Sequence, residues 1–104
     1  FIINEIYRRL SYQGKQFKLS YLRVKEDLEI DLIIERGPLP PTLIEIKSSA
    51  KVDERHAKGL LTLGADFKSS EQYLLSKDPD LKKFSHVLAC PWEEGIDRIV
   101  QASA

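Results

Sequence analysis

Two carboxylates and one amine occupy neighbouring segments of this sequence, at spacings that would let them act together. Asp31 lies in the apolar segment 28–36, and Glu45 and Lys47 lie two residues apart in segment 42–47. Two carboxylates in contact repel each other, and a divalent cation bound by both removes the repulsion. Mg²⁺ or Mn²⁺ suits such oxygen ligands, and an adjacent ammonium could stabilise developing negative charge or position an attacking water. The residue types therefore fit a metal site that acts on a phosphate, with Asp31 and Glu45 as ligands.

Strand geometry is what would bring the three side chains together. Alternation puts Glu45 and Lys47 on one face of their strand and Ile44 and Ile46 on the other. In the preceding strand, the same alternation predicts an apolar face that holds Leu28, Ile30, Leu32 and Ile34, and an opposite face that holds Glu29, Asp31, Ile33 and Glu35. A hairpin that matches apolar faces puts Asp31 opposite Glu45 or Lys47, about 5 Å apart at Cβ.

The same pattern has a second interpretation. An acid opposite a lysine on an exposed sheet face is common, and such a pair contributes only about 0–1 kcal/mol to stability. An acid followed by Glu-x-Lys on the next strand is also a short and permissive motif. The residues alone leave the metal site and the salt-bridged surface both open.

The remaining elements follow from periodicity and breakers. Helical spacing of apolar residues predicts a helix over 1–13, and Glu5 borders its buried stripe as a candidate third, outer acid. The other predicted elements are strands 16–25, 28–36, 42–47, 71–76 and 86–90, a turn at 77–80, and helices 52–67 (with Asp53 as N-cap) and 91–101. The first three strands should form an antiparallel meander, and the fourth should run parallel to the third through a right-handed crossover.

This order, α-β-β-β-α-β-β-α, predicts one α/β domain over residues 1–104. Its centre would be a mixed sheet of four to five strands flanked by helices. A chain of 104 residues can bury a sufficient core without disulfides, and the single cysteine, Cys90, excludes an internal disulfide and a multi-cysteine zinc site. No apolar run reaches the roughly 18–20 residues that span a bilayer. We expect a cytoplasmic protein with no membrane partner.

The charge balance limits how the chain could bind nucleic acid. With 16 basic and 16 acidic residues, the net charge is zero, whereas tight autonomous binders usually carry a basic excess. A local basic face remains compatible with this balance. The residues nearest the proposed metal site, and our choice for contacts to nucleic acid, are Ser48, Lys51, Arg55 and Lys58.

An acid on one strand and Glu-x-Lys on the next, between an acid-bearing helix and a second helix, resembles the PD-(D/E)XK nuclease superfamily and its restriction-endonuclease-like fold. More closely, "YLRVKEDLEIDLIIERG", "LIEIKSS" and "CPWEEG" resemble a carboxy-terminal domain of unknown function found in prokaryotic AAA-type P-loop ATPases. The resemblance covers essentially the whole chain. It departs from the superfamily at Ile30, where a proline often precedes the first acid.

The resemblance implies roles for four residues. Asp31 and Glu45 match the metal-binding acids, Lys47 the catalytic lysine and Glu5 the first-helix acid. The implied reaction is Mg²⁺-dependent hydrolysis of phosphodiesters, with DNA favoured over RNA and no covalent intermediate. The resemblance also implies an upstream ATPase domain; the sequence contains no methionine, and we expect it to be a fragment of a longer ATPase.

Three functions are compatible with these observations. The first is a metal-dependent nuclease module. The second is a catalytically silent domain of the same fold that binds DNA or protein and regulates the ATPase. The third is a small α/β interaction domain whose acids are ordinary surface residues. Because no Walker motif occurs in the sequence, the chain alone should not hydrolyse ATP.

Overall fold

A computed structural model describes residues 1–26 and 28–102 of the chain. The helices are α1 (Ile2–Tyr12), α2 (Lys58–Leu63) and α3 (Trp92–Ala102), and short 3₁₀ turns flank α2 at Glu54–Ala57 and Gly64–Asp66. The strands are β1 (Lys18–Lys25), β2 (Leu28–Glu35), β3 (Thr42–Ile46), β4 (Glu71–Ser76), β5 (Lys82–Phe84) and β6 (Val87–Pro91). None of the helices formed by these described residues is long and apolar enough to cross a membrane.

The strands form one mixed sheet in the order β1-β2-β3-β4-β6-β5. β1, β2 and β3 are an antiparallel meander, and β4 pairs parallel with both β3 and β6. The predicted α/β class, the meander and the parallel β3–β4 pairing are confirmed. The sheet has six strands instead of four to five, because β5 pairs antiparallel with β6. Its three residues, Lys-Lys-Phe, carry no alternation, and lysines are typical of a short edge strand.

Helices cover both faces of the sheet and divide the core in two. On one face, α1 and α3 pack on side chains that include Leu32, Ile34 and Ile44. On the other face, α2 and its flanking turns pack on side chains that include Ile33 and Leu43. β4 lies between the two layers, and five of its six residues are buried, as expected for a central parallel strand.

The predicted helix 52–67 is shorter than expected. Only Lys58–Leu63 is α-helical, and the chain before and after it forms 3₁₀ turns. Asp53 is the predicted N-cap, and its carboxylate accepts the Arg55 N–H at 2.9 Å. The cap therefore begins a 3₁₀ turn rather than the α-helix itself.

A β-bulge interrupts β2 at Asp31. Ser20 pairs with Ile33 and Leu22 pairs with Ile30, so two residues of β2, Asp31 and Leu32, oppose the single Tyr21 of β1. Such an extra residue breaks the alternation of faces. The prediction that Leu28 and Ile30 share a face with Leu32 and Ile34 is consequently wrong.

The side chains on the two sides of the bulge belong to different layers of the core. Ile30 and Leu28 pack with the α2 cluster, whereas Leu32 and Ile34 pack with α1 and α3. Bulges often lie next to functional sites, where they redirect a side chain. In this chain the bulge lies at the first predicted acid.

The register between β2 and β3 matches the prediction. Leu32 pairs with Ile44, Ile33 with Leu43 and Ile34 with Thr42. Continued by one position, this register puts Asp31 opposite Glu45. The two acids therefore meet where the backbone ladder of the hairpin ends and the bulge begins.

Candidate metal centre

Three carboxylates converge at this point, and we call Glu29, Asp31 and Glu45 the acid cluster. One oxygen from each lies within 4.8 Å of the other two. Glu45 is only 2% exposed, and Glu29 and Asp31 are half-buried. Three like charges this close are unfavourable unless a proton or a cation neutralises part of them. The cluster is therefore a place where a cation or a proton is required.

Asp31 is held by the backbone of the neighbouring strand. Its Oδ2 accepts the Ile46 N–H at 2.7 Å. The N–H of the next residue, Lys47, points to the strand on the other side of β3 and donates to the Leu75 carbonyl of β4 at 2.9 Å. The Asp31 side chain thus takes the place of a carbonyl in the β2–β3 ladder, which fixes the carboxylate close to Glu45.

Glu45 is the buried member of the cluster. Its Oε1 has no hydrogen-bond partner among the described residues, and the Lys47 Nζ lies 3.7 Å from that oxygen, too far for a hydrogen bond. Burial, a hydrogen bond with Asp31 and the charge of Asp31 together raise the pKa of Glu45 from 4.5 to about 8. A pKa raised in this direction favours the protonated form of Glu45 when no metal is bound.

A divalent cation fits this arrangement. The Glu45 Oε1 is buried and accepts no hydrogen bond from the described residues, and the two other acids supply further hard oxygen donors. Mg²⁺ and Mn²⁺ take such donors, usually one or two carboxylates with the rest of the shell from water and substrate. Asp31 and Glu45 are the ligands that the sequence predicted, and Glu29 is a third donor within reach.

Gly59 of α2 closes the site from the helix side. A Cβ at this position would clash with the backbone carbonyl of Glu29 and would approach the Glu45 Oε2 to 2.8 Å. The absence of a side chain therefore lets α2 lie directly against the acid cluster. This contact helps to exclude water from Glu45.

We expect Gly59→Ala to lower the free energy of unfolding by about 1–3 kcal/mol through overpacking. Helix propensity alone would predict the opposite effect, because alanine is favoured over glycine in a helix by about 1 kcal/mol. Urea unfolding measures the change. Thr62→Ala, at an exposed position of the same helix, is the control and should be neutral or slightly stabilising. Equal behaviour of the two variants would contradict the close packing described above.

The open side of the cluster is a small cavity of about 120 Å³. Its walls include Glu29, Glu45 and Lys47 from the strands and Arg55 and Lys58 from the α2 side. The cavity can accommodate an ion with part of its hydration shell, and cationic side chains line its rim.

His56 also lines this cavity, in a fixed orientation. Its Nδ1 accepts the Asp53 N–H at 3.0 Å, and the Asp53 carboxylate caps the same turn in return. An Nδ1 that accepts leaves the proton of a neutral imidazole on Nε2. That nitrogen lies 3.4 Å from the Ser49 Oγ, in the segment that follows β3.

The predicted site residues are brought together only in part. Asp31, Glu45 and Lys47 meet at the cluster, and Lys47 is 36% exposed. Arg55 and Lys58 line the cavity, although Arg55 is 87% exposed and its guanidinium contacts Asp53 at 2.9 Å. Ser48 and Lys51 are exposed in the segment after β3, outside the cavity lining that the described residues form. Their predicted contacts to nucleic acid stay predictions.

Glu5 is not brought to the cluster. It lies on α1, which packs on the opposite face of the sheet from α2, and its carboxylate pairs with Arg8 at 2.7 Å. Hydrogen bonding to Arg8 is the main reason that the pKa of Glu5 is lowered. In contrast, Glu29 was not among the predicted site residues, although its position two residues before Asp31 was the signal that could have identified it.

A protein-family model described as "Domain of unknown function (DUF4143)" matches residues 1–94. No curated protein and no solved structure matches the chain.

Proposed function

Because the chain belongs to the DUF4143 family of domains of unknown function, we propose a function from the chemistry of its acid cluster: metal-dependent, nuclease-type hydrolysis of DNA phosphodiesters. The observation that supports this most directly is the convergence of Glu29, Asp31 and Glu45, with one oxygen of each within 4.8 Å. Lys47, 3.7 Å from Glu45, supplies the cation that such a reaction needs beside its metal. We further propose that the fold is of the restriction-endonuclease type and that the domain works with an upstream AAA-type ATPase.

The reaction adds water across a P–O bond and leaves a phosphate monoester and a free hydroxyl. When bound, Mg²⁺ would supply a more acidic water and would offset the charge of the phosphate. Asp31 holds its carboxylate in place through the Ile46 N–H. Glu45 would hold the cation in its ionised form, and the loss of its proton on binding would couple metal affinity to pH. The Lys47 ammonium interacts with the negative charge that develops on the phosphate oxygens.

A second function is favoured by separate observations. The net charge is zero, the cavity at the cluster is small, and Arg55 is already paired with Asp53. These features fit a catalytically silent domain that binds DNA or protein and regulates the ATPase. In that case the metal, if bound, would be structural.

Metal binding is the first test, because the proposed hydrolysis requires a bound metal ion. We expect Mg²⁺ or Mn²⁺ at ten times Kd to raise Tm by about 5 °C, since the ion binds the folded chain and not the unfolded one. Asp31→Asn should abolish the rise, as measured by calorimetry and thermal unfolding. Asp66→Asn, an exposed acid outside the cluster, should leave it unchanged.

The outcomes separate the two functions. Saturable metal binding that depends on Asp31, together with nicking of plasmid DNA, supports the nuclease. The same binding without nicking supports the silent domain. Absence of Asp31-dependent binding at millimolar metal rejects the proposed metal centre.

A further inference from the structure

Arg36, directly after β2, is a second buried polar side chain that lacks hydrogen-bond partners, in the described part of the chain, for some of its atoms. This residue is 9% exposed, and its Nη2 donates to the Thr42 Oγ1 at 2.7 Å. Its Nε and Nη1 are buried and have no hydrogen-bond partner among the described residues. Arginines are rarely buried unless they are paired.

The charge of Arg36 is not neutralised by the chain as described. No carboxylate of residues 1–26 and 28–102 lies within ion-pair distance of its guanidinium. Burial is the main influence on its pKa and lowers it, while the more distant Glu71 and Tyr73 act in the opposite direction. A guanidinium nevertheless stays protonated in proteins, and a buried charge without a partner is costly. Such a group favours an anion close to its unpartnered nitrogens, where the described residues place none.

Arg36 forms part of the wall of a cavity of about 540 Å³, well within the range of small-molecule sites. The cavity lies between the end of α1, the segment that leads into β1, and the turn that follows β2. Leu10, Phe17 and Leu39 provide apolar wall, and Gln13 and Lys18 provide polar groups. The basic residues around it outnumber the acidic ones, since Glu35 is the single acid in the described lining. The surroundings therefore suit a ligand with a negative head and an apolar body.

We propose that this cavity binds a small organic anion, with its carboxylate or phosphate group directed at Arg36 and its apolar part against Leu10 and Phe17. The turn 36–39, which is exposed at residues 37–39, is the element that must shift to admit the head group, because the Arg36 Nε and Nη1 expose almost no surface. That turn is held by one long hydrogen bond, from the Leu39 N–H to the Arg36 carbonyl at 3.3 Å. Gly37 adopts φ +60° within it, a conformation that glycine tolerates.

This site is separate from the acid cluster. Arg36 follows Asp31 by five residues, which corresponds to ~17 Å along an extended strand. The cavity also borders the α1 side of the sheet, whereas the acid cluster faces α2. The inference therefore does not depend on whether the chain binds a metal or cleaves DNA.

Benzoate and phenyl phosphate are suitable probes, because each combines a negative head with an apolar ring. We expect both, or one of them, to raise the Tm of the 104-residue chain in a saturable manner, compared with sodium chloride at equal ionic strength. Inorganic phosphate alone should have a smaller effect, since it lacks the apolar part. Comparison of the two probes decides whether the site prefers a carboxylate or a phosphate head.

Arg36→Met provides the decisive variant. Removal of an uncompensated buried charge should raise Tm in the absence of probe, and binding of the probe should weaken at least about tenfold in calorimetry. Arg8→Met, an exposed arginine of α1 outside the cavity, should retain full binding. Lys18→Glu, at an exposed position on the cavity wall, tests the same site if Arg36→Met fails to fold, and it should also weaken binding. No saturable shift with either probe, or equal binding by Arg36→Met and the parent, would overturn the proposal.

Discussion

Replacement of Lys47 by alanine is expected to lower the rate of the proposed metal-dependent DNA cleavage about 100- to 1,000-fold, the loss that follows removal of one group that stabilises transition-state charge. The ammonium lies 3.7 Å from Glu45 Oε1 and is partly exposed, so it can reach a phosphate bound at the cavity. Metal affinity should change little or rise slightly, because the variant loses a positive charge beside the cluster. Plasmid nicking and calorimetry of the same preparations measure the two effects separately.

Lys83→Ala is the matched control for this substitution. Lys83 lies on β5, an edge strand at the far side of the sheet from β2. The Lys83→Ala variant loses the same charge as Lys47→Ala and should cleave DNA at the rate of the parent chain. Equal loss in the two variants would mean that cleavage depends on overall charge, and an unchanged rate in Lys47→Ala would remove this lysine from the proposed reaction.

A rise in pH from 4.5 to 8 without divalent metal is expected to lower the free energy of unfolding by a few kcal/mol. The folded chain holds the Glu45 proton up to a pKa of about 8, whereas the unfolded chain releases it near 4.5. In this window the folded state binds more protons, so its stability falls as pH rises. Each pKa unit of difference corresponds to about 1.4 kcal/mol. The contribution is complete below pH 4.5 and is lost once the pH passes 8.

Glu45→Gln tests the origin of this dependence. The amide is neutral at every pH and similar in shape, so the variant should lack the fall in stability. Near pH 4.5 it should resemble the parent, and at pH 8 it should be the more stable of the two by a few kcal/mol. Added Mg²⁺ should stabilise the parent at pH 8 and leave Glu45→Gln unaffected. Parallel urea-unfolding curves for both proteins across this range would contradict the assignment to Glu45.

The meeting of Asp31, Glu45 and Lys47 could be predicted from period-two patterns, because pairing Leu32 with Ile44 fixes the parity of the register between the two strands. The bulge at Asp31 could not. In "EIDLII", apolar residues lie on both sides of the acid. The extra residue of the bulge therefore places Ile30 in the other layer of the core without any change in the apolar pattern of the sequence. β5 was missed for a related reason, since its three residues are specified by backbone pairing with β6 and not by their side chains.

The error over Glu5 has a different cause. Helical spacing in α1 indicates which side of the helix is buried, but both faces of this sheet are apolar and either could receive it. The choice depends on the path of the connections and on contacts such as Arg9 with Asp97 of α3, at 2.7 Å. The burial of Arg36 was equally inaccessible, because nothing in "IERGPLPP" distinguishes a covered guanidinium from an exposed one.

The hydrogen bond between the Asp31 carboxylate and the Ile46 N–H has an evolutionary consequence. An acid that completes a backbone ladder is retained for folding even after catalysis is lost, because its removal strands a backbone donor. In a related chain, an acid at this position would therefore say little about activity. Lys47 is the better indicator, since its described side-chain contact is only with the cluster itself. In a related chain without the proposed activity, we expect that lysine to be replaced more readily than the acid.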